Sequence, residues 1–152
     1  MELEVTTADT YMRLAFRQIL EVADGLGDEL VNVRPPGPET NTVGQLITHS
    51  CGVSEFWLGC VGLGRPTTRD RDSEFTATAT VAELHALVDR TREQVSADLR
   101  AFEAGETTDA HEAIRETLEG ADTSDTALVL HVLEELFQHL GQMELTADAL
   151  TA

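Results

Sequence analysis

The chain has 152 residues, of which 41% are hydrophobic and 11 more are glycine, an ordinary globular composition that excludes wholesale disorder and supports one core and one domain over residues 1–152. Twenty-eight acidic side chains against ten basic ones give a formal net charge of −18 and an isoelectric point near 4.4. Such a chain repels phosphate backbones and anionic lipid surfaces, so nucleic-acid and membrane partners are excluded.

The acidic start Met1-Glu2-Leu3-Glu4 lacks the basic-then-apolar beginning of a secretory signal, and the expected location is the cytoplasm. The first helix is predicted over about residues 8–30, where Met12, Ala15, Ile19, Val22, Leu26 and Leu30 recur at steps of three and four. Arg34-Pro35-Pro36-Gly37-Pro38 cannot continue it. A second helix should start after Asn41 or Thr42 and run to about residue 62 or 64, with Leu46, Val53, Phe56 and Cys60 on its apolar stripe.

Residues 64–79 form a long polar connection. Thr80 and Glu83 then match a capping box, in which each side chain satisfies an orphan amide of the other's backbone. The third helix follows, with Val81, Leu84, Val88, Val95 and Phe102 inward. Residues 105–122 are a second long connection with a helical turn expected near residues 111–118, and Ser124 or Thr123 caps a fourth helix to about residue 150. No stretch alternates with period two. The expected fold is all-α, a four-helix bundle. Either long connection can cross a bundle about 30 Å long, and a crossover in the first would set the second and third helices parallel.

His49 lies three residues after Leu46 and four before Val53, so it points inward, where an imidazole needs a partner. The ordinary partner is a carbonyl. Glu135 and His139, four residues apart, rise from one face of the fourth helix and can converge on one ion. Val132, Leu133, Leu136, Phe137 and Leu140 leave little of that helix polar. An unpaired carboxylate buried there would cost several kcal/mol, and a cation resolves this. Three ligands from two helices leave a coordination position open. His131, eight residues before His139, lies about 12 Å from it along the axis. The two cannot share an ion, yet either can pair with Glu135, and spacing does not choose. A di-metal carboxylate site is excluded because Gln138 stands where a Glu-x-x-His pair needs histidine.

The remaining polar residues read more simply. Cys51 and Cys60, about 13.5 Å apart along one helix, cannot bridge each other and are core-filling thiols. His85 and His111 are solvated, Glu134 is a surface residue or an acceptor behind the ligands, and Phe56 and Trp57 belong to the core or an interface. Arg65, Arg69 and Arg71 form the basic cluster. They form a salt-bridge network or meet the carboxylates of a thiol cofactor or anionic substrate. All ten basic residues are arginine, which removes Schiff-base and P-loop lysine chemistry.

The run from Thr126 to Gln142, with His131, Glu135 and His139, resembles the last helix of the DinB/YfiT-like superfamily, in particular its mycothiol-dependent maleylpyruvate isomerase-like branch. Thr42 to His49 resembles that family's second helix, where a histidine follows leucine by three residues. The resemblance implies an up-down-down-up bundle with long crossover connections, and a divalent metal, zinc or nickel. It puts the ligands on His49, Glu135 and His139 rather than on His131. Glu135 in place of a third histidine is similar to the mycothiol-linked branch. Members with assigned activities use a low-molecular-weight thiol for S-transfer or isomerisation. The isomerase carries a further C-terminal domain, whereas these 152 residues stop after the fourth helix, so the expectation is a stand-alone thiol S-transferase. Mycothiol or a similar thiol would attack a small electrophile, with no catalytic residue beyond the ligands. The alternatives are a non-catalytic, metal-clipped or partner-binding bundle, and a metal-assisted hydrolase with Glu134 as base. A homodimer is compatible with this architecture.

Overall fold

The computed structural model describes residues 3–108 and 124–152. Helix α1 spans Val5–Leu30, longer at its start than the periodicity indicates, and Gly27 interrupts its last turn with φ 64° and ψ 179°, a conformation suited to glycine. Helix α2 (Val43–Glu55) opens on a capping box: the Thr42 hydroxyl accepts from the Gln45 amide at 3.1 Å, and the Gln45 side chain accepts from the Thr42 amide at 3.1 Å. The regular helix does not continue to residue 62 or 64. After Glu55 the chain widens into a π-helical segment, Phe56–Gly62, with Leu63 N bonded to Leu58 O at 3.1 Å. Side chains fill the space beside its glycines, Arg65 from just past its end against Gly59 and Phe102 of the third long helix against Gly62.

The first long connection holds a one-turn helix, α3 (Arg71–Glu74), that the sequence does not announce. Helix α4 (Val81–Glu103) starts on the expected Thr80–Glu83 box, and α5 (Asp125–Thr151) on Ser124, whose hydroxyl accepts from the Ala127 amide at 3.3 Å. The turn expected near residues 111–118, and His111 with it, lies outside the described residues. The largest fully buried side chains include Phe16 and Ile19 of α1, Ile47 of α2, Leu84 and Leu99 of α4, and Leu136 of α5. Val22, Leu30, Phe56 and Val81, expected inward, are only partly buried and pack at the core's margin.

Cross-helix contacts fix the topology. Asp9 and Arg13 meet Ser96, Asp24 meets His85, and Asp28 meets the amide of Val81, so α1 and α4 run antiparallel. Glu55 meets Thr91 while Gly62 abuts Phe102, so α2 and α4 run parallel. His49 faces His139 and Trp57 faces His131, so α2 and α5 run antiparallel. The bundle is up-down-down-up. Residues 63–80 are the crossover, and Asn32 receives their far end through two hydrogen bonds to Ala79, 2.8 and 3.2 Å. The second connection leaves α4 and enters α5 at one end of the bundle, where Thr107 donates to Asp125 at 3.0 Å. Among the described residues no helix is long and apolar enough to cross a membrane.

Candidate metal centre

The crossover brings a carboxylate to His49. Gln45 Nε2 donates to the Phe75 carbonyl at 2.7 Å and so ties the end of α3 to α2. Glu74, buried, then accepts from His49 Nδ1 at 2.7 Å. Arg69 clamps the same carboxylate from behind, Nε to Oε1 at 2.6 Å and Nη2 to Oε2 at 2.9 Å. Gly52 is required for this approach, because a Cβ there would collide with the Glu74 carboxylate. Phe75 packs on His49 with ring centroids 4.8 Å apart. With Nδ1 occupied, Nε2 is the free ligating nitrogen, and it faces α5.

On α5, Glu135 Oε2 lies 4.0 Å from His49 Nε2 and 3.2 Å from His139 Nε2. The rings of His49 and His139 meet edge to face at 4.8 Å, and His139 Nδ1 is held by Gln142 Oε1 at 2.8 Å. One ligand atom from each of His49, Glu135 and His139 lies within 4.8 Å of the others. Atoms each about 2.1 Å from one ion in a tetrahedral arrangement sit about 3.4 Å apart. Closure on a cation therefore draws the widest pair together by at most about 1.4 Å, shared between two side chains. Two imidazoles with their outer nitrogens already engaged, plus one carboxylate, form a donor set suited to zinc or nickel.

Charge follows the same geometry. His49 is held below the usual imidazole range, chiefly by burial, against the pull of Glu74. Burial also opposes the proton on His139, but hydrogen bonds to Glu135 and Gln142 outweigh it and hold this group above that range. The hydrogen bond from His139 holds Glu135 below the usual carboxylate range, against burial.

His131 takes the other side of the same carboxylate. Its Nε2 is 4.0 Å from Glu135 Oε1, its Nδ1 is 3.2 Å from exposed Glu134, and its ring meets Trp57 edge-on at 4.8 Å. His131, Glu134 and Glu135 also form a group of the required compactness, but all three come from one helix and one of them is exposed. The group around His49 joins two helices.

Beside these ligands lies a cavity of about 390 Å³ lined by His49, Val53, Phe56, Trp57, Thr67, Arg69, Arg71, His131 and Glu135. A second cavity, about 360 Å³, lies behind Glu74 and Arg69, with Cys51, Cys60, Glu55 and Arg65 among its walls. The arginine cluster divides. Arg65 forks onto buried Asp98, Arg69 is spent on Glu74, and Arg71 stacks over Phe75. The two cysteines are free; Cys51 is buried, and burial pushes its thiol up to about 12. His85 is paired with Asp24 at 2.7 Å. Glu74 and Arg69 are the site residues that sequence reasoning passed over as candidates around His49. The available signal was that an inward imidazole needs a partner, with a carboxylate one turn after the capping residue Asp70.

The family profile of the DinB superfamily matches residues 11–143, from the second turn of α1 into the later turns of α5, and takes in His49, Glu135 and His139. The chain belongs to the DinB superfamily. Comparison with curated proteins and with solved structures gives no match.

Proposed function

We propose, with membership of the DinB superfamily as the premise, that this chain is a cytoplasmic, metal-dependent thiol S-transferase. His49, Glu135 and His139 are its ligands for a divalent cation, zinc or nickel. The nucleophile is a low-molecular-weight thiol, mycothiol or a similar one, and its target is a small electrophile. One observation carries the reading: His49 and Glu135 belong both to the compact ligand group and to the lining of a cavity of about 390 Å³. A purely structural clip has no use for an open cavity at its ligands.

A divalent cation held there supplies the positive charge that favours thiolate over thiol at neutral pH. The chain's own groups do the rest. Glu74 and Gln142 occupy the Nδ1 atoms of His49 and His139, which leaves both Nε2 lone pairs for ligation. Val53, Phe56 and Trp57 form an apolar wall that holds the electrophile in line and keeps water off it. Transfer forms an S–C bond while the leaving group departs with its electron pair, the thiol proton having passed to water. Cys51 does not serve as nucleophile, since its buried thiol, pushed up to about 12, stays protonated at neutral pH. On this reading the thiol is an added small molecule that enters through the cavity. Similarity to the mycothiol-linked branch rests on Glu135 standing where much of the superfamily has histidine.

Metal analysis tests the ligand set. Wild-type protein should carry about one divalent ion per chain, lost in His49→Ala and in His139→Ala and kept in His131→Ala. Full occupancy in both of the first two variants overturns the assignment. In a cobalt-substituted sample, added thiol should shift the visible spectrum. An unchanged spectrum overturns thiol chemistry and favours the structural clip.

A further inference from the structure

Arg65, Arg69 and Arg71 are adjacent in sequence, but their charges are not equally available. Arg65 is engaged by Asp98 and Arg69 by Glu74. Arg71 makes no ion pair among the described residues. Its neighbour Asp70 turns its carboxylate toward the Ser73 amide instead. Arg71 is exposed at the rim of the cavity that His49 and Glu135 line, and its guanidinium stacks 5.4 Å above the Phe75 ring. Phe75 in turn packs 4.8 Å from the His49 ring. One aromatic ring thus separates a cation without an ion-pair partner among the described residues from the ligand group. In a chain of net charge −18, an unpaired guanidinium at a cavity mouth stands out.

We propose that Arg71 is the anion anchor of this cavity, and that the small molecule bound there carries one carboxylate on an apolar or aromatic body. The proposal rests on the cavity being the substrate site of the proposed function, not on the identity of the ion. The guanidinium fork matches a carboxylate bidentately. Thr67, on the same rim, adds a hydroxyl. Val53, Phe56 and Trp57 accept the apolar body. A dianion such as a phosphate monoester is disfavoured, because Arg69 is already neutralised and Glu135 adds negative charge at the cavity floor. The carboxylate belongs to the electrophile, or to a thiol other than mycothiol, whose cysteine carboxyl is bound as an amide.

The chain's single tryptophan, Trp57, lines the cavity and reports binding through its fluorescence. Two acid and amide pairs are titrated: 3-phenylpropanoate against 3-phenylpropanamide, and N-acetylcysteine against its amide. The protein is used as purified and again with excess chelator. At least one acid should bind about tenfold tighter than its amide. That advantage should survive chelation, vanish in Arg71→Gln, return in part in Arg71→Lys, and stay unchanged in Arg17→Gln on α1. An advantage confined to the thiol pair assigns the carboxylate to the thiol, and one confined to the phenyl pair assigns it to the electrophile. Equal binding of acids and amides by wild type, an advantage lost on chelation, or one unchanged in Arg71→Gln overturns the proposal. The chelated arm separates the two readings, since failure of metal binding would leave the acid preference in place.

Discussion

Glu74 accepts the Nδ1 proton of His49 while Arg69 fixes both of its oxygens. A carboxylate so placed sets the imidazole's tautomer, its aim and its basicity. Glu74→Gln keeps the volume but removes the charge and leaves Arg69 unpaired, and it should weaken divalent-metal affinity about 10- to 100-fold. Competition with a chromophoric chelator measures this. Gly52→Ala should give a loss in the same direction by a different route, because the new methyl displaces the Glu74 carboxylate, while a helical alanine in itself favours the helix by about 1 kcal/mol. Weakened binding with an intact or firmer helix marks a positioning role, and unchanged affinity in both variants removes it. The contrast with Glu135 and His139 shows what a sequence discloses at this scale. Those two share a helix at a spacing of four, so the geometry is local. Glu74 reaches His49 across 25 residues and a crossover, through a one-turn helix with too few residues to show periodicity.

Between elements, the seam of α1 and α4 is polar and directional. Ser96 donates to Asp9 at 2.6 Å, Arg13 donates to Asp9 at 2.7 Å and to Ser96 at 2.8 Å, and Asp28 accepts from the first amide of α4 at 2.6 Å. Burial draws the Asp9 carboxyl upward, but the hydrogen bonds from Ser96 and Arg13 outweigh it and hold the group below the usual carboxylate range. The folded value lies below the unfolded one near 4. Its stabilisation is therefore complete above that pH and is lost as pH falls through the folded value. Asp9→Asn should lower the melting temperature by about 3 °C at neutral pH, equivalent to about 1 kcal/mol. The gap should close under acid conditions, and thermal scans across a pH series check it. A gap that widens toward acid contradicts the assignment. The four long helices were legible because caps and a 3.6-residue period are written locally, as Thr80 with Glu83 shows. The π-helical segment was not, since an apolar stripe does not tell a π-turn from an α-turn and the Phe102 ring that packs beside Gly62 comes from forty residues away. The parallel pairing of α2 and α4 lay between: the length of the first connection permitted it, and the contacts of Thr91 and Phe102 decide it.

For the molecule as a whole, a net charge of −18 means self-repulsion in the folded state, which salt relieves. Any divalent ion also screens this charge, so a rise in melting temperature on adding metal does not by itself indicate a site. The two effects differ in saturation and in salt dependence. Screening grows smoothly with concentration and is exhausted once about 1 M sodium chloride has shortened the Debye length to about 3 Å. A resident ion saturates near one equivalent per chain and, at about one hundred times its dissociation constant, adds about 2.7 kcal/mol, or about 5–10 °C for a chain of this size. In 1 M salt, nickel should still raise the melting temperature of wild-type protein by that amount, and magnesium, which prefers an all-oxygen shell, should not. His49→Ala should lose the nickel increment and His131→Ala should keep it. Lowering the pH should erode it, because a proton on His139, held by Glu135 and Gln142, competes with the ion for the same ligand. A nickel increment that disappears in salt, or that magnesium reproduces, would assign the effect to the acidic surface and remove the candidate site as its source.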